Sequence, residues 1–167
     1  SFTRQQLLAE VIATTERLRE QPDGPLMVLP ERSGLFPVAL LAGWSAGRTV
    51  ALVDPESTTA RVAAIREQVG ESTVVRIMGS GLEITAGEPG AADSPPSHIL
   101  FTSGTTGVPK LVRHALPSLV EAIDWYIQEF DCTESDRFVL ASPLGHDPVL
   151  RDVLGAIASG AELLVPT

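Results

Sequence analysis

Apolar residues return along this chain with two rhythms, and the switches between them mark its elements. Leu7, Leu8, Val11, Ile12, Thr15 and Leu18 fall at helical spacing. Ahead of them Thr3 and Gln6 fit a capping box, with Phe2 and Leu7 as its hydrophobic staple, so an amphipathic helix is predicted over 4–19. Leu26-Met-Val-Leu29, closed by Pro30, has the length and content of a short buried strand. From Leu35 to Ala46 nearly every face is apolar and Gly47 follows, which predicts a helix buried by other elements and capped by glycine. Thr49 to Val53 is the next strand, and Asp54-Pro55 turns the chain into a helix with Val62, Ile65 and Val69 on one face, stopped by Gly70.

The second half repeats the alternation. Thr73 to Met78 predicts a strand, and the Gly-, Pro-, Ala- and Ser-rich 79–97 an excursion holding one short edge strand at Leu82–Thr85. A strand at 98–101 follows, then a helix near 115–130 with Leu116, Leu119, Val120, Ile123, Ile127 and Phe130 in phase. A strand over 137–142, a helix over 149–159 capped by Gly160, and a strand over 162–166 complete the series. Strands alternating with helices imply right-handed crossovers, hence an α/β fold with a mostly parallel sheet flanked by helices on both faces. His98 reads as a strand residue and His114 as a helix-start residue.

The stretch Ile99-Leu-Phe-Thr-Ser-Gly-Thr-Thr-Gly-Val-Pro-Lys-Leu-Val112 breaks both rhythms. Behind its apolar strand stand Thr102, Ser103, Gly104, Thr105, Thr106, Gly107 and Lys110. Gly104 and Gly107 allow successive N–H groups to converge on one anion. Four hydroxyls add donors and Lys110 adds a mobile point charge, a set suited to a polyphosphate. A Walker A loop needs G-x-x-x-x-G-K-S/T, and Pro109 stands where its second glycine belongs. Position after a strand also places the loop where ligands sit in parallel sheets.

This stretch resembles, almost position for position, the phosphate-binding signature of the adenylate-forming superfamily: acyl-CoA synthetases, luciferases and the adenylation domains of nonribosomal peptide synthetases. The family pattern, aromatic-T-S-G-S/T-T-G-x-P-K-G, is departed from only at Leu111. Gly47-Arg-Thr-Val-Ala-Leu-Val-Asp-Pro55 resembles a second, weaker family motif, and within it Asp54 reads as a turn and helix-cap residue rather than a catalyst. The resemblance implies the N-terminal subdomain of the large domain of such an enzyme. It implies ATP with Mg²⁺ as cofactors, the loop and Lys110 gripping the β- and γ-phosphates while a carboxylate attacks the α-phosphorus.

Leu144-Gly-His-Asp-Pro-Val-Leu-Arg-Asp152 is the other unusual stretch. Asp147 before Pro148 reads as a helix N-cap, and Arg151 and Asp152 as solvated helix residues. The passage resembles the adenylation-domain motif in which an aromatic-Asp pair opens a helix at the substrate pocket. By that resemblance His146 falls on the aromatic beside the phosphate loop and adenylate, a catalytic position with Lys110, and Asp147 on the aspartate that holds a substrate α-ammonium. Amino acids are thereby favoured among carboxylic acid substrates.

Composition narrows the partners. The chain has 167 residues, 44% of them hydrophobic, enough for one cored domain and short for two. A net charge of −9 with 12 Lys and Arg disfavours nucleic acid and anionic membranes, so a nucleotide site must be locally basic, through Lys110, Arg113 and Mg²⁺. Cys132 is the single cysteine and cannot form an internal disulfide, and no signal peptide or membrane-length apolar run is present, a pattern that reads as cytoplasmic.

Residues 1–167 thus read as one α/β subdomain of a partial adenylation domain, since the family's later adenine, ribose and C-terminal lysine motifs do not occur in them. The resemblance implies a ligase that forms an acyl- or aminoacyl-adenylate and passes the acyl group to a carrier-protein thiol, working with the remainder of the domain and not active as this chain alone. The alternative is a catalytically silent adenylation-fold module serving as an interaction platform.

Overall fold

The computed structural model describes residues 2–70, 72–90, 95–102 and 109–166. The chain opens with α1 (Arg4–Arg19), whose Thr3 and Gln6 form the capping box through two reciprocal backbone bonds of 3.2 and 2.8 Å. Its buried face is Val11, Thr14, Thr15 and Leu18, whereas Leu8 and Ile12 stay exposed. There follow β1 (Leu26–Leu29), α2 (Leu35–Ser45), β2 (Val50–Leu52), α3 (Thr59–Val69), β3 (Thr73–Met78), β4 (Gly81–Thr85), β5 (Ser97–Thr102) and β6 (Lys110–Ala115). The chain continues through α4 (Leu116–Glu129), β7 (Arg137–Val139), α5 (Pro148–Ser159) and β8 (Glu162–Leu164).

Six strands form one sheet in the order β4-β3-β1-β2-β5-β6. The four central strands are parallel, and an antiparallel strand closes each side. Period-two alternation sends side chains to two apolar layers. Leu26, Val28, Val50, Leu52 and Leu100 join α2 in the larger core. Met27, Ala51, Val53, Ile99 and Phe101 pack with Val62, Ile65 and Val69 of α3 on the opposite face. A strand buried on both faces must be apolar at every position, which is why β1 reads as an unbroken run. Between β1 and β2, Gly43 permits close packing, because a Cβ there would meet Val50 and Leu26 side chains at 2.7 and 2.8 Å.

Two expectations are corrected. The strands at β7 and β8 do not join the main sheet: they pair with each other, in parallel, as a separate two-stranded sheet. They are also shorter than the apolar runs, because the segment after Val139 is drawn off as a loop whose backbone is held by Arg32. Lys110 and His114, expected in a loop and at a helix start, belong to β6, which pairs antiparallel with β5 so that Thr102 lies opposite Lys110 and His98 opposite His114. The hairpin wins here because Lys110–Ala115 pairs along its whole length with the otherwise open edge of β5.

Candidate functional site

The described candidates follow the carboxyl ends of strands: Thr102 ends β5, and His146 and Asp147 lie in the segment after β7. Thr102 ends β5 and Lys110 begins β6, both exposed at the mouth of the hairpin. Gln68 of α3 donates to the Pro109 carbonyl at 2.8 Å, which pins the loop exit to the helix beneath it. Ser103, Gly104, Thr105, Thr106 and Gly107 lie outside the described residues. Arg113 is not at this mouth: its guanidinium donates to Ser97 Oγ at 2.9 Å and Thr49 Oγ1 at 3.4 Å, toward the amino end of β5.

The segment after β7 carries the other candidates, and two contacts from the main sheet fix it. Arg32, in the turn after β1, donates to the carbonyls of Leu140, Ala141 (3.2 Å) and Ser142 (3.0 Å). A planar guanidinium, with donors spread over three nitrogens, spans successive carbonyls more readily than an ammonium with its donors on one. Farther along, a Cβ at Gly145 would lie 2.7 Å from Asp54 Cβ, 3.0 Å from its Cα and 3.1 Å from its backbone nitrogen. Only glycine fits without moving backbone. The contact brings His146 Nδ1 to 3.9 Å from Asp54 Oδ2. Asp54, Arg61, Phe101, Gly145 and His146 line a cavity of about 290 Å³ at this junction.

Asp147 is not the expected cap. Its backbone is helical (φ −46°, ψ −44°) and its side chain makes no capping bond, because the first turn is already closed by Val149 N–H to the His146 carbonyl at 3.2 Å. Capping needs an extended backbone that turns the carboxylate back over the helix N–H groups. Asp147 instead lines a second cavity, about 400 Å³, between α4 and α5, together with Arg151, His114, Trp125 and Tyr126. Arg151 lies over the Tyr126 ring, 5.5 Å from its centroid, and donates to Asp152 Oδ1 at 2.8 Å. Asp152, expected to be solvated, is 6% exposed and accepts from Ser142 Oγ at 3.0 Å. The pair holds Arg151 in place while leaving N–H donors of its fork unused by Asp152.

Of the other histidines, His98 is fully buried edge-on to Trp44, their centroids 5.7 Å apart, and neither ring nitrogen has a hydrogen-bond partner. Burial, aided by the nearby His114, pushes its pKa down to about 3, so it is a neutral core residue. Sequence reasoning missed Arg32, Gly145 and the facing role of Asp54. Only the glycine beside His146 hinted at a close approach.

Comparison with known proteins decides the family. Residues 85–167 match the AMP-binding enzyme family. The chain belongs to the adenylate-forming superfamily. L-2-aminoadipate reductase of Schizosaccharomyces pombe is 47% identical over 75 residues, 45% of this chain and 5% of the relative. The human beta-alanine-activating enzyme is 46% identical over 72 residues, 42% of this chain and 7% of the relative. The chain thus spans a small fraction of the curated relatives it matches. In fold it is similar to a four-domain nonribosomal peptide synthetase, holo-AB3403, solved with AMP and glycine. The TM-score is 0.81 at 18% identity, covering 99% of this chain and 14% of the synthetase. Among the described residues no helix is long and apolar enough to cross a membrane, and no cluster of three potential ligands could hold a metal.

Proposed function

We propose that this chain is the phosphate- and substrate-gripping part of an ATP-dependent amino-acid-activating enzyme that loads a carrier-protein thiol. The substrate carboxylate oxygen bonds to the α-phosphorus as the bond to the bridging oxygen breaks and pyrophosphate leaves. The thiol then takes the acyl group and releases AMP. An exposed lysine opposite a threonine at a hairpin mouth fits a polyphosphate, and Lys110 would stabilise the charge that builds on pyrophosphate. Mg²⁺ on the nucleotide's phosphates would supply the remaining positive charge. His146 would stand beside the new acyl-phosphate bond.

The observation that carries the amino-acid reading is Asp147, which makes no capping bond and lines the same cavity as Arg151. A carboxylate answers an α-ammonium, and a guanidinium one helical turn farther along α5, lining the same cavity, answers a second acidic group. L-2-aminoadipate, which names the Schizosaccharomyces pombe relative, carries both groups, so a dicarboxylic amino acid is the substrate class the cavity supports. The test is amino-acid-dependent pyrophosphate exchange by the full-length enzyme. Asp147→Ala should lose at least about tenfold in kcat/KM, corresponding to 1.4 kcal/mol or more. It should also discriminate less against the des-amino acid. Arg151→Met should cost activity on dicarboxylic substrates and spare a neutral amino acid. Retained preference for the amino acid in Asp147→Ala moves the substrate to acids without an amino group.

A second reading, a silent docking module, rests on the exposed apolar side chains of Val120 and Trp125 on α4 and of Phe130 just past its end. Binding of Mg²⁺-ATP separates the two, because a silent module has no need of a working phosphate loop.

A further inference from the structure

Asp54 sits where a carboxylate has no structural necessity to be. Helix α3 is capped by Thr58, whose hydroxyl accepts from Arg61 N–H at 3.2 Å, so Asp54 is not its cap. One oxygen, Oδ1, accepts the Glu56 N–H at 2.8 Å and closes a local turn. That bond fixes the carboxylate and leaves Oδ2 facing His146 Nδ1 at 3.9 Å. Asp54 is half-buried at the cavity wall, its side chain 26% exposed against 62% for His146. The backbone arrangement is built for this approach: Gly145 lets the two loops touch, and Arg32 anchors the second loop from its other end. Glu56 and Arg61 are the other charged groups lining the cavity.

From this geometry we infer that Asp54 is a positioning residue for His146, selecting the tautomer in which Nδ1 carries the proton and Nε2 is the acceptor; the inference rests on the reading of His146 as a group at the reacting centre. At 3.9 Å the two atoms are beyond direct hydrogen-bond range, and a small ring rotation completes the direct link. A carboxylate accepts and cannot donate, so a ring nitrogen facing it is held in its N–H form. The proton of the imidazole is thereby turned toward Asp54, and the lone pair of Nε2 is left for a donor on the substrate or the incoming thiol. No proton leaves the Asp54–His146 pair in this arrangement.

The experiment is ¹⁵N NMR of the histidine side chains in this chain, together with pyrophosphate exchange in the full-length enzyme. Asp54→Asn keeps an acceptor for the Glu56 N–H and therefore the turn. In the wild type the His146 signals, identified by their loss in His146→Gln, should show a majority Nδ1–H tautomer. In Asp54→Asn they should shift toward Nε2–H while the buried His98 signals stay in place, which also reports that the fold is kept. The same substitution should lower kcat by between about tenfold and a hundredfold with the KM for ATP unchanged. In combination with His146→Gln it should add little further loss. His146 tautomers unaltered by Asp54→Asn would overturn the inference through its geometry. A tautomer change with full activity in both Asp54→Asn and His146→Gln would overturn it through the functional reading on which it rests.

Discussion

Strands β1 and β7 are both short and parallel to their neighbours, and they end in opposite environments. Leu26, Met27 and Val28 of β1 are wholly buried, whereas Val139 of β7 is 45% exposed. The cause is coverage. Strand β1 lies between β2 and β3, with α2 on one face and the α3 layer on the other. Strand β7 has β8 as its partner and α5 against one face, where Gly155 admits the Phe138 ring. A parallel strand gains its stability from what lies over and beside it. The candidate site sits where these unequal regions meet, with Arg32 and Asp54 supplied by the well-covered sheet and His146 and Asp147 by the less covered one.

That contrast can be broken from either side. The largest effect should come from Leu26→Ala, which opens a cavity between β1 and α2 and should cost about 2–5 kcal/mol by urea denaturation. A loss under about 1 kcal/mol would show that the main sheet repacks freely. Arg32→Ala comes next: it strips the carbonyls of Leu140, Ala141 and Ser142 of their donor and should cost about 1–3 kcal/mol. Arg32→Lys should recover only part of this, since the fork geometry is lost. Faster hydrogen exchange over 140–147 than over β1 in Arg32→Ala would show that the clamp, rather than the global fold, was removed.

The third test is pH. The folded-state pKa of His98, about 3, lies below its ordinary value of 6.5, so the unfolded chain takes up the proton first. Stability should be full above about pH 6.5 and fall as pH drops toward 3. The slope should be at most about 1.4 kcal/mol per unit, for instance between pH 6 and 5. His98→Phe should flatten that limb, and an unchanged slope would assign the acid sensitivity to other groups. Smallest of all should be Val139→Thr on the exposed side of β7, expected to shift stability by no more than about 0.5 kcal/mol. A loss comparable to that of Leu26→Ala would mean that β7 is as tightly packed as β1.

Much of this molecule was legible in its residues. The Thr3 and Gln6 capping box, the all-round apolar α2, the strands from Leu26, Val50 and Thr73, and the Gly160 stop follow from spacing and from the φ preferences of single residues, which act within a few positions of sequence. The edge hairpin was not legible, because Lys110 to Ala115 becomes a strand only by pairing with β5, and six residues bordering a helix give no periodicity of their own. Nor could spacing show that β7 and β8 leave the main sheet, a matter of which strand edges remain available in three dimensions.

The site divides along the same line. Which chemistry is present, a Thr- and Gly-rich loop ending in Lys110 and a Gly-His-Asp turn at 145–147, was set by the sequence itself, because donor type and backbone freedom belong to individual residues. What each group faces was decided by tertiary structure alone. Asp147 became a cavity residue in place of a cap because the first turn of α5 closes without it. Asp54 became the neighbour of His146 because Gly145 lets two loops 91 positions apart, from 54 to 145, share one contact. Electrostatic pairing depends on distance through space, and no local pattern of residues encodes a distance between segments that meet only after the sheet has formed.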